Sequence, residues 1–475
     1  MKPLRKSSVS LLSGLTALGM LSVAAAAAPP GPVTEKNVTV TFISAADLLQ
    51  ARSVGKKMQM PVRSQRMSLT SNGPAASVEF NGNGGQWGDW GHVPLWTYAV
   101  RDAGRDGLDH VGAMVGTSPF WGKETSRIPV VIVPMIITTH AVATGLKAVT
   151  TQTGSGAMTS TIVTRYFVTV PGDVTQNSAA PDNNCLAAPN NVPSRLIYQS
   201  PIFQKARFTF GGKYMGNTQY IDAVQRANFY QALGGNPGNY HVLFSPVHVL
   251  SPIKVDVPSN EGLAVDAPGS GQPNIFGTCG TVQFLDINWF DSYINGTVLP
   301  QLAAEGIGAG TIPVFFLYDT NLTTSPVADL DGCCTLGYHS AAGEPSPSQL
   351  YAVAETDVTN LFNTPAVENT GVLAHELGEL VNDPYGDNEV PPWGDSGQTA
   401  GCQENLEVGD PLTGTAVTPV TMPNGYTYQL QELAFFSWFY GGRSLGVDGW
   451  YSNGGTFTSD AGPVCGSSEP PTTAN

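Results

Sequence analysis

The chain is poor in charge. Only 12% of its 475 residues are Asp, Glu, Lys or Arg, and cations are the scarcer kind: 22 Lys and Arg stand against 37 Asp and Glu, a net charge of −15. No basic cluster survives beyond the first few residues, so nothing is present to neutralise a phosphate backbone, and nucleic acid is not an expected partner. The cysteines number six and never form a C-x-x-C pair, which argues against a thiolate zinc knuckle or a thioredoxin-like site. Beyond the N-terminus no window reaches 18 apolar residues. The richest, residues 128–142, is interrupted by Pro134, Thr138, Thr139 and His140, too broken for a bilayer span. Despite 54 glycines and 36 prolines there is no G-x-y period and no internal repeat, so collagen and solenoids are excluded and a loop-rich, β-heavy fold is favoured.

What is present begins with an address. Lys2, Arg5 and Lys6 precede an apolar stretch over residues 11–28 that ends in small residues, the layout of a secretory signal. Residues 1–28 are therefore read as a signal peptide, and the mature chain as secreted, extracellular or periplasmic, with no membrane association after cleavage and as a monomer. An even number of cysteines in an exported chain makes disulfides plausible, with fifteen connectivities open. Cys402 to Cys465 is the preferred bridge, and separate partners are expected for the adjacent Cys333 and Cys334.

Hydrophobic residues make up 41% of the chain, enough for a large core. The alternation over 38–44 reads as a strand, and NGNGGQWGDW over 81–90 as a loop. Together they outline a small β-rich unit over 29–122, an accessory domain or pro-region. From residue 128 the runs IPVVIVPMIITT, IVTRYFVTV, ARFTFGG and HVLFSP are β-branched and aromatic and are separated by Pro, Gly and Asn, which predicts strands. Helical spacing over 219–233 and 285–305 predicts helices packed on that sheet. Further on, IPVFFLY (312–318) and LYAVA (350–354) read as buried strands. Residues 365–382 read as a helix, with Thr364 as N-cap, Pro365 at the first position and Pro384 forbidding continuation past Asn382. The whole is an α+β chain whose main domain covers 123–465, followed by a disordered tail over 466–475.

The helix carries GVLAHELGELVNDP. His375 and Glu379, four apart, share a face, and Glu376 lies about 100° around. The remaining positions are apolar, so an imidazole and two carboxylates would each cost several kcal/mol there unless paired or metal-bound. An imidazole and a carboxylate at i and i+4 can hold a divalent cation, and a Glu beside the first ligand can act as general base toward a water activated by it. A buried hydrogen-bonded cluster, or a structural Ca²⁺ site, is the competing reading of the same three residues.

His375, Glu376 and the i+4 position resemble the H-E-x-x-H helix of the zincin metallopeptidases, with Glu379 in place of the second histidine. The resemblance implies a mixed sheet with a central active-site helix, LYAVA in the place of the edge strand, and a bound zinc. It implies His375 and Glu379 as ligands, Glu376 as catalytic base, and polypeptide as substrate. The third ligand departs from the metzincin pattern, which would need Gly at Asn382 and His at Tyr385. Asp383 is favoured for it and Glu407 comes next, ahead of Asp387, Asp395, Glu404 and Asp410; Met422 in TMPNGY is a packing residue more readily than a Met-turn. The last 170 or so residues also resemble, more faintly, secreted Exordium-like (phosphate-induced) proteins, through CCTLGYHS around His339, the NDP after the helix and WYSNGG near the C-terminus.

The expected function is a secreted zinc-dependent endopeptidase. The alternative is a non-catalytic secreted protein of the cell surface that binds glycan or a partner through aromatic loops, with Trp87, Trp90 and Trp96 as the platform. A serine hydrolase built on Ser396 in GDSG with His140 as base fits poorly, because Gln398 stands where trypsin-like peptidases have glycine. His339 reads either as an ordinary loop histidine or as a donor to a transition state.

Overall fold

The structure is a computed structural model, and it describes residues 93–460 apart from short breaks, together with short strands at 7–9, 40–42, 64–69 and 76–81. The signal segment falls almost wholly outside the described residues, as do Trp87, Trp90, Ser396, Asp395, Cys402, Cys465 and the tail. No helix among the described residues is long and apolar enough to cross a membrane.

Ahead of the main sheet lies a four-stranded antiparallel one: β1 (Ser64–Leu69), β2 (Ala76–Asn81), β3 (Leu95–Arg101) and β4 (His110–Val115), paired in that order. Most of residues 29–92 lie outside the described residues, and β3 and β4 pack with the rest of the chain. Trp96, Tyr98, Val100 and Met114 belong to the same apolar cluster as the C-terminal third. The Tyr98 hydroxyl meets that of Tyr440 at 2.8 Å. Trp96 is buried, 3% exposed, with Phe120 and Phe229 against its indole, so it serves packing and offers no platform for a sugar.

The main sheet is organised by β5 (Thr125–Thr153), a strand of 29 residues. Its β-branched run supplies apolar side chains on both faces, the pattern of a strand covered on both sides. It hydrogen-bonds antiparallel to β6 (Ser160–Asn177). Beyond that hairpin come α1 (Tyr220–Asn228), then β7 (His241–Val249) and β8 (Ile253–Val257), both parallel to β5. Then follow β9 (Gly262–Val265), β10 (Val282–Asp286), β11 (Ile312–Tyr318), β12 (Thr320–Thr323), β13 (Cys333–Thr335), β14 (Gly337–Ala342) and β15 (Gln349–Thr356). The path across the sheet is β13-β12-β10-β9-β5-β11-β15-β14, a mixed sheet of the α+β kind. All of β11 is buried.

Two expectations are corrected here. LYAVA lies inside the sheet, parallel to β11 on one side and antiparallel to β14 on the other. The edge strand is β14, Gly337–Ala342. Helix α2 spans Gly371–Asn382 and does not begin at 365. The backbone of 364–370 is held by other partners: Thr356 donates to the Asn369 carbonyl at 2.7 Å, and the Asn369 side chain accepts from the Thr370 and Gln429 N–H groups. Such tertiary ties outweigh the local start signals. The predicted stop is as expected, with Asp383 at φ −140°, ψ 72° before Pro384. All twelve residues of α2 are buried, and the helix packs on β15, β14, β4 and α1.

Cys185 and Cys279 form a disulfide, with Cα atoms 5.7 Å apart. Cys333 and Cys334 are placed as a pair with each other, not with separate partners as expected.

Candidate metal centre

Helix α2 points His375, Glu376 and Glu379 at two other elements, the edge strand β14 and the loop over 403–412. The Nε2 of His375 lies 3.1 Å from Glu379 Oε1 and 3.4 Å from Asp410 Oδ1. These three residues form one group able to hold a metal ion, and His339, Glu379 and Glu407 form a second. All are buried: His339, His375 and Glu407 are 0% exposed, Asp410 1% and Glu379 2%.

The tautomer of His375 follows from its neighbours. The Gln431 amide nitrogen donates to the Gly409 carbonyl at 2.6 Å, which leaves the amide oxygen facing the ring, 3.2 Å from Nδ1. Nδ1 therefore carries the hydrogen and donates, and Nε2 is the ring atom turned to the carboxylates. A ligand histidine whose other nitrogen is fixed by an amide or carbonyl has this arrangement. Gly409 makes it possible: a Cβ there would stand 2.5 Å from Nδ1 of His375. Its N–H also donates to Glu379 Oε1 at 3.1 Å.

Burial alone would discharge the His375 ring, but Glu379, Asp410 and Glu376 outweigh it and raise its pKa well above the ordinary value. The ring itself thus takes up a proton readily, facing Glu379 and Asp410. Burial raises the pKa of Glu376 well above the carboxylate range and raises that of Glu379 too, with His375 opposing both. For His339 burial wins and the pKa falls to about 4, so the ring is neutral near pH 7.

Within this cluster Glu376 differs from Glu379, Glu407 and Asp410 in having no hydrogen bond to either oxygen. Gly337 of β14 gives it room, since a Cβ there would fall 2.8 Å from Glu376 Oε1 and from the Val353 carbonyl. A buried carboxylate with no donor is costly, and a proton, a cation or a bound water removes that cost.

Asp383, the favoured third ligand, is elsewhere. Its carboxylate accepts the N–H groups of Asp387 at 3.0 Å and Asn388 at 3.1 Å, a turn-stabilising role for a residue that ends a helix. Asp410 holds the place beside His375 that was expected for Asp383. Glu407 is brought in, but beside His339. Asp387 and Glu404 are exposed.

His339 was undervalued in the sequence because its strand was not placed. On an edge strand, alternation puts Tyr338 and His339 on opposite faces, and the face of His339 is the one α2 covers. Its Nε2 sits 2.9 Å from the Asp383 carbonyl, an atom that can only accept, so Nε2 carries the hydrogen. His140, offered as a base for Ser396, is instead a half-buried residue between Asp173 at 2.7 Å and Asp256 at 2.6 Å. Met422 is buried and lines an open cleft with Arg127, Tyr198 and Lys205.

No protein-family model, no curated protein and no solved structure matches the chain.

Proposed function

We propose that the protein is a metal-dependent hydrolase, with zinc as the cation, polypeptide as the substrate and α2 as the active-site helix. The observation that carries this reading is the convergence of His375 Nε2, Glu379 and Asp410 at 3.1 to 3.4 Å, one residue along from a carboxylate that accepts no hydrogen bond. A nitrogen and two carboxylate oxygens are a donor set for zinc. Two ligands about 2.1 Å from a tetrahedral ion stand about 3.4 Å apart, close to the separations here.

A divalent cation in this place supplies Lewis acidity toward a carbonyl oxygen and makes a nearby water easier to deprotonate. The chain's own residues supply the rest. Glu376 offers two lone-pair-bearing oxygens to take the water's proton, and its raised pKa suits it to return that proton. As the C–O bond forms and the C–N bond breaks, the proton passes from Glu376 to the departing amine nitrogen. Gln431 holds the His375 ring in the required tautomer, and Gly409 and Gly337 leave the space in which His375 and Glu376 fit.

The test is Glu376→Gln, which removes the base and keeps the shape. Hydrolysis of unfolded casein should fall about 10²- to 10⁴-fold while bound zinc is retained. Activity equal to that of the unaltered protein would end the assignment.

A second reading, a non-catalytic exported protein stabilised by a buried cation, is favoured by one specific observation: every ligand residue is 2% exposed or less. On that reading chelation lowers the melting temperature, and no casein is cleaved with metal present.

A further inference from the structure

The two metal-capable groups share one residue, Glu379, and use it differently. Its Oε1 is the atom near His375 Nε2, at 3.1 Å. Its Oε2 is the atom near His339 Nδ1, at 3.7 Å. Neither group, among the described residues, contains both histidines.

The second group has its own argument, independent of the first. His339 is 0% exposed, and its Nε2 hydrogen is taken by the Asp383 carbonyl. In the neutral ring this leaves Nδ1 with a bare lone pair. That atom has no hydrogen-bond partner, and it is turned toward Glu379 Oε2 at 3.7 Å and Glu376 Oε2 at 3.8 Å. Acceptors facing acceptors in a dry interior repel, and these distances are too long for a shared hydrogen. They suit two ligands of one ion; Glu407, which forms one group with His339 and Glu379, approaches the other edge of the ring, its Oε2 4.0 Å from Nε2. The backbone carbonyl that fixes the ring is the outer support a ligand histidine takes. This also removes His339 as a transition-state donor, since the hydrogen it carries is already given to Asp383.

We propose that Glu379 bridges two divalent cations, one held by His375 and Asp410, the other by His339 and Glu407. Each position offers one imidazole nitrogen and two carboxylate oxygens, a set that fits zinc, cobalt or manganese and is too hard for copper(I). Glu376 then borders both positions. The inference rests on the reading of α2 as metal-binding, and the experiment separates the two.

The full exported chain is stripped with chelator, dialysed against Co²⁺, and its metal counted by mass spectrometry. The same is done for His339→Ala and His375→Ala, and the Mn²⁺-loaded protein is examined by electron paramagnetic resonance. The expected result is two ions per chain, one in each variant, and the multiline spectrum of an exchange-coupled Mn²⁺ pair. One ion per chain, lost in His375→Ala and kept in His339→Ala, overturns the second position and leaves the hydrolase reading standing. Two ions that both persist in His339→Ala overturn it as well, because the second ion then lies elsewhere. No bound ion overturns both readings. Should His339→Ala fail to fold, the ion count and the spectrum of the unaltered chain decide.

Discussion

At the ends of β11 and β15 the protein buries Asp319, Glu355 and Asp357 as deeply as it buries the residues around His375, yet it treats the two sets in different ways. Asp319 accepts the Val358 N–H at 2.8 Å and the Asn184 amide at 2.7 Å. Asp357 accepts from the Thr359 N–H, the Thr359 hydroxyl and the Asn321 amide. Donors surround these two carboxylates, and no histidine is grouped with them. Around Glu379 the neighbours include two imidazole nitrogens, His375 Nε2 at 3.1 Å from Oε1 and His339 Nδ1 at 3.7 Å from Oε2, the second with its lone pair turned inward. A buried carboxylate ringed by donors is already compensated by the chain, whereas Glu379, Glu407 and Asp410 each accept on one oxygen only from the chain's amides and Glu376 on neither, which leaves room for a cation or a proton. Depth and acidity are common to both regions, so neither identifies a site. The sign of what faces the oxygens does.

The comparison breaks most visibly if His375 is removed. His375→Ala should reduce hydrolysis to background and lower bound metal, because it deletes the one nitrogen donor of its position. Asp319→Asn, in the donor-ringed set, should leave both metal content and activity unchanged. Metal counts and casein hydrolysis on the two purified variants check this, and equal loss in both would erase the distinction.

A smaller effect is expected from the outer support. Gln431→Leu removes the acceptor for His375 Nδ1 and the donor to Gly409. Losses of this kind cost about 10- to 100-fold in metal affinity, readable by competition with a chromophoric chelator. A structural glutamine would change the melting temperature and leave that affinity alone. Gly409→Ala tests the packing beneath the same ring. With its Cβ 2.5 Å from Nδ1, overpacking should cost about 1–3 kcal/mol, measured by denaturant unfolding of the metal-free protein.

Much of this was legible before the structure. The H-E-x-x-E spacing sets a face of α2, and the apolar residues around it announce a buried helix, because both depend on a period fixed by local geometry. Its end was legible too, since Pro384 cannot continue a helix. Its start was not, because the ties of Thr356, Asn369 and Gln429 join distant parts of the chain. The third ligand failed for a related reason. Asp383 is eight residues from His375 and seemed close, but after the helix its carboxylate turns to the N–H groups of Asp387 and Asn388. Asp410 and Glu407 are farther in sequence and nearer in space, returned by a loop whose path no periodicity records. His339 depended on knowing that β14 is the edge strand. Sheet order is a long-range property, and LYAVA, more apolar, drew the edge assignment to itself.

The finest test concerns Glu355, which belongs to the donor-ringed region and yet lacks its advantage. Both carboxyl oxygens lack a well-formed hydrogen bond, the Thr320 N–H being a donor that approaches, and Asp357 and Asp319 are its charged neighbours. Burial first, and then those two aspartates, raise its pKa well above the ordinary 4.5. In the unfolded chain the group ionises near the ordinary value, while in the folded chain it keeps its proton to higher pH. Below 4.5 both states hold the proton and Glu355 contributes no difference. As pH rises toward the folded pKa the unfolded state releases its proton first, so stability falls. Glu355→Gln presents the neutral shape at every pH and removes that loss. Its melting temperature should match that of the unaltered protein at acid pH and exceed it at pH 8 by on the order of 2 °C, the shift that about 1 kcal/mol gives in a large domain. A variant that is instead less stable at pH 8 would show that Glu355 is ionised in the folded chain and held by a cation. The donor-ringed region would then join the His375 site as a candidate for a bound cation.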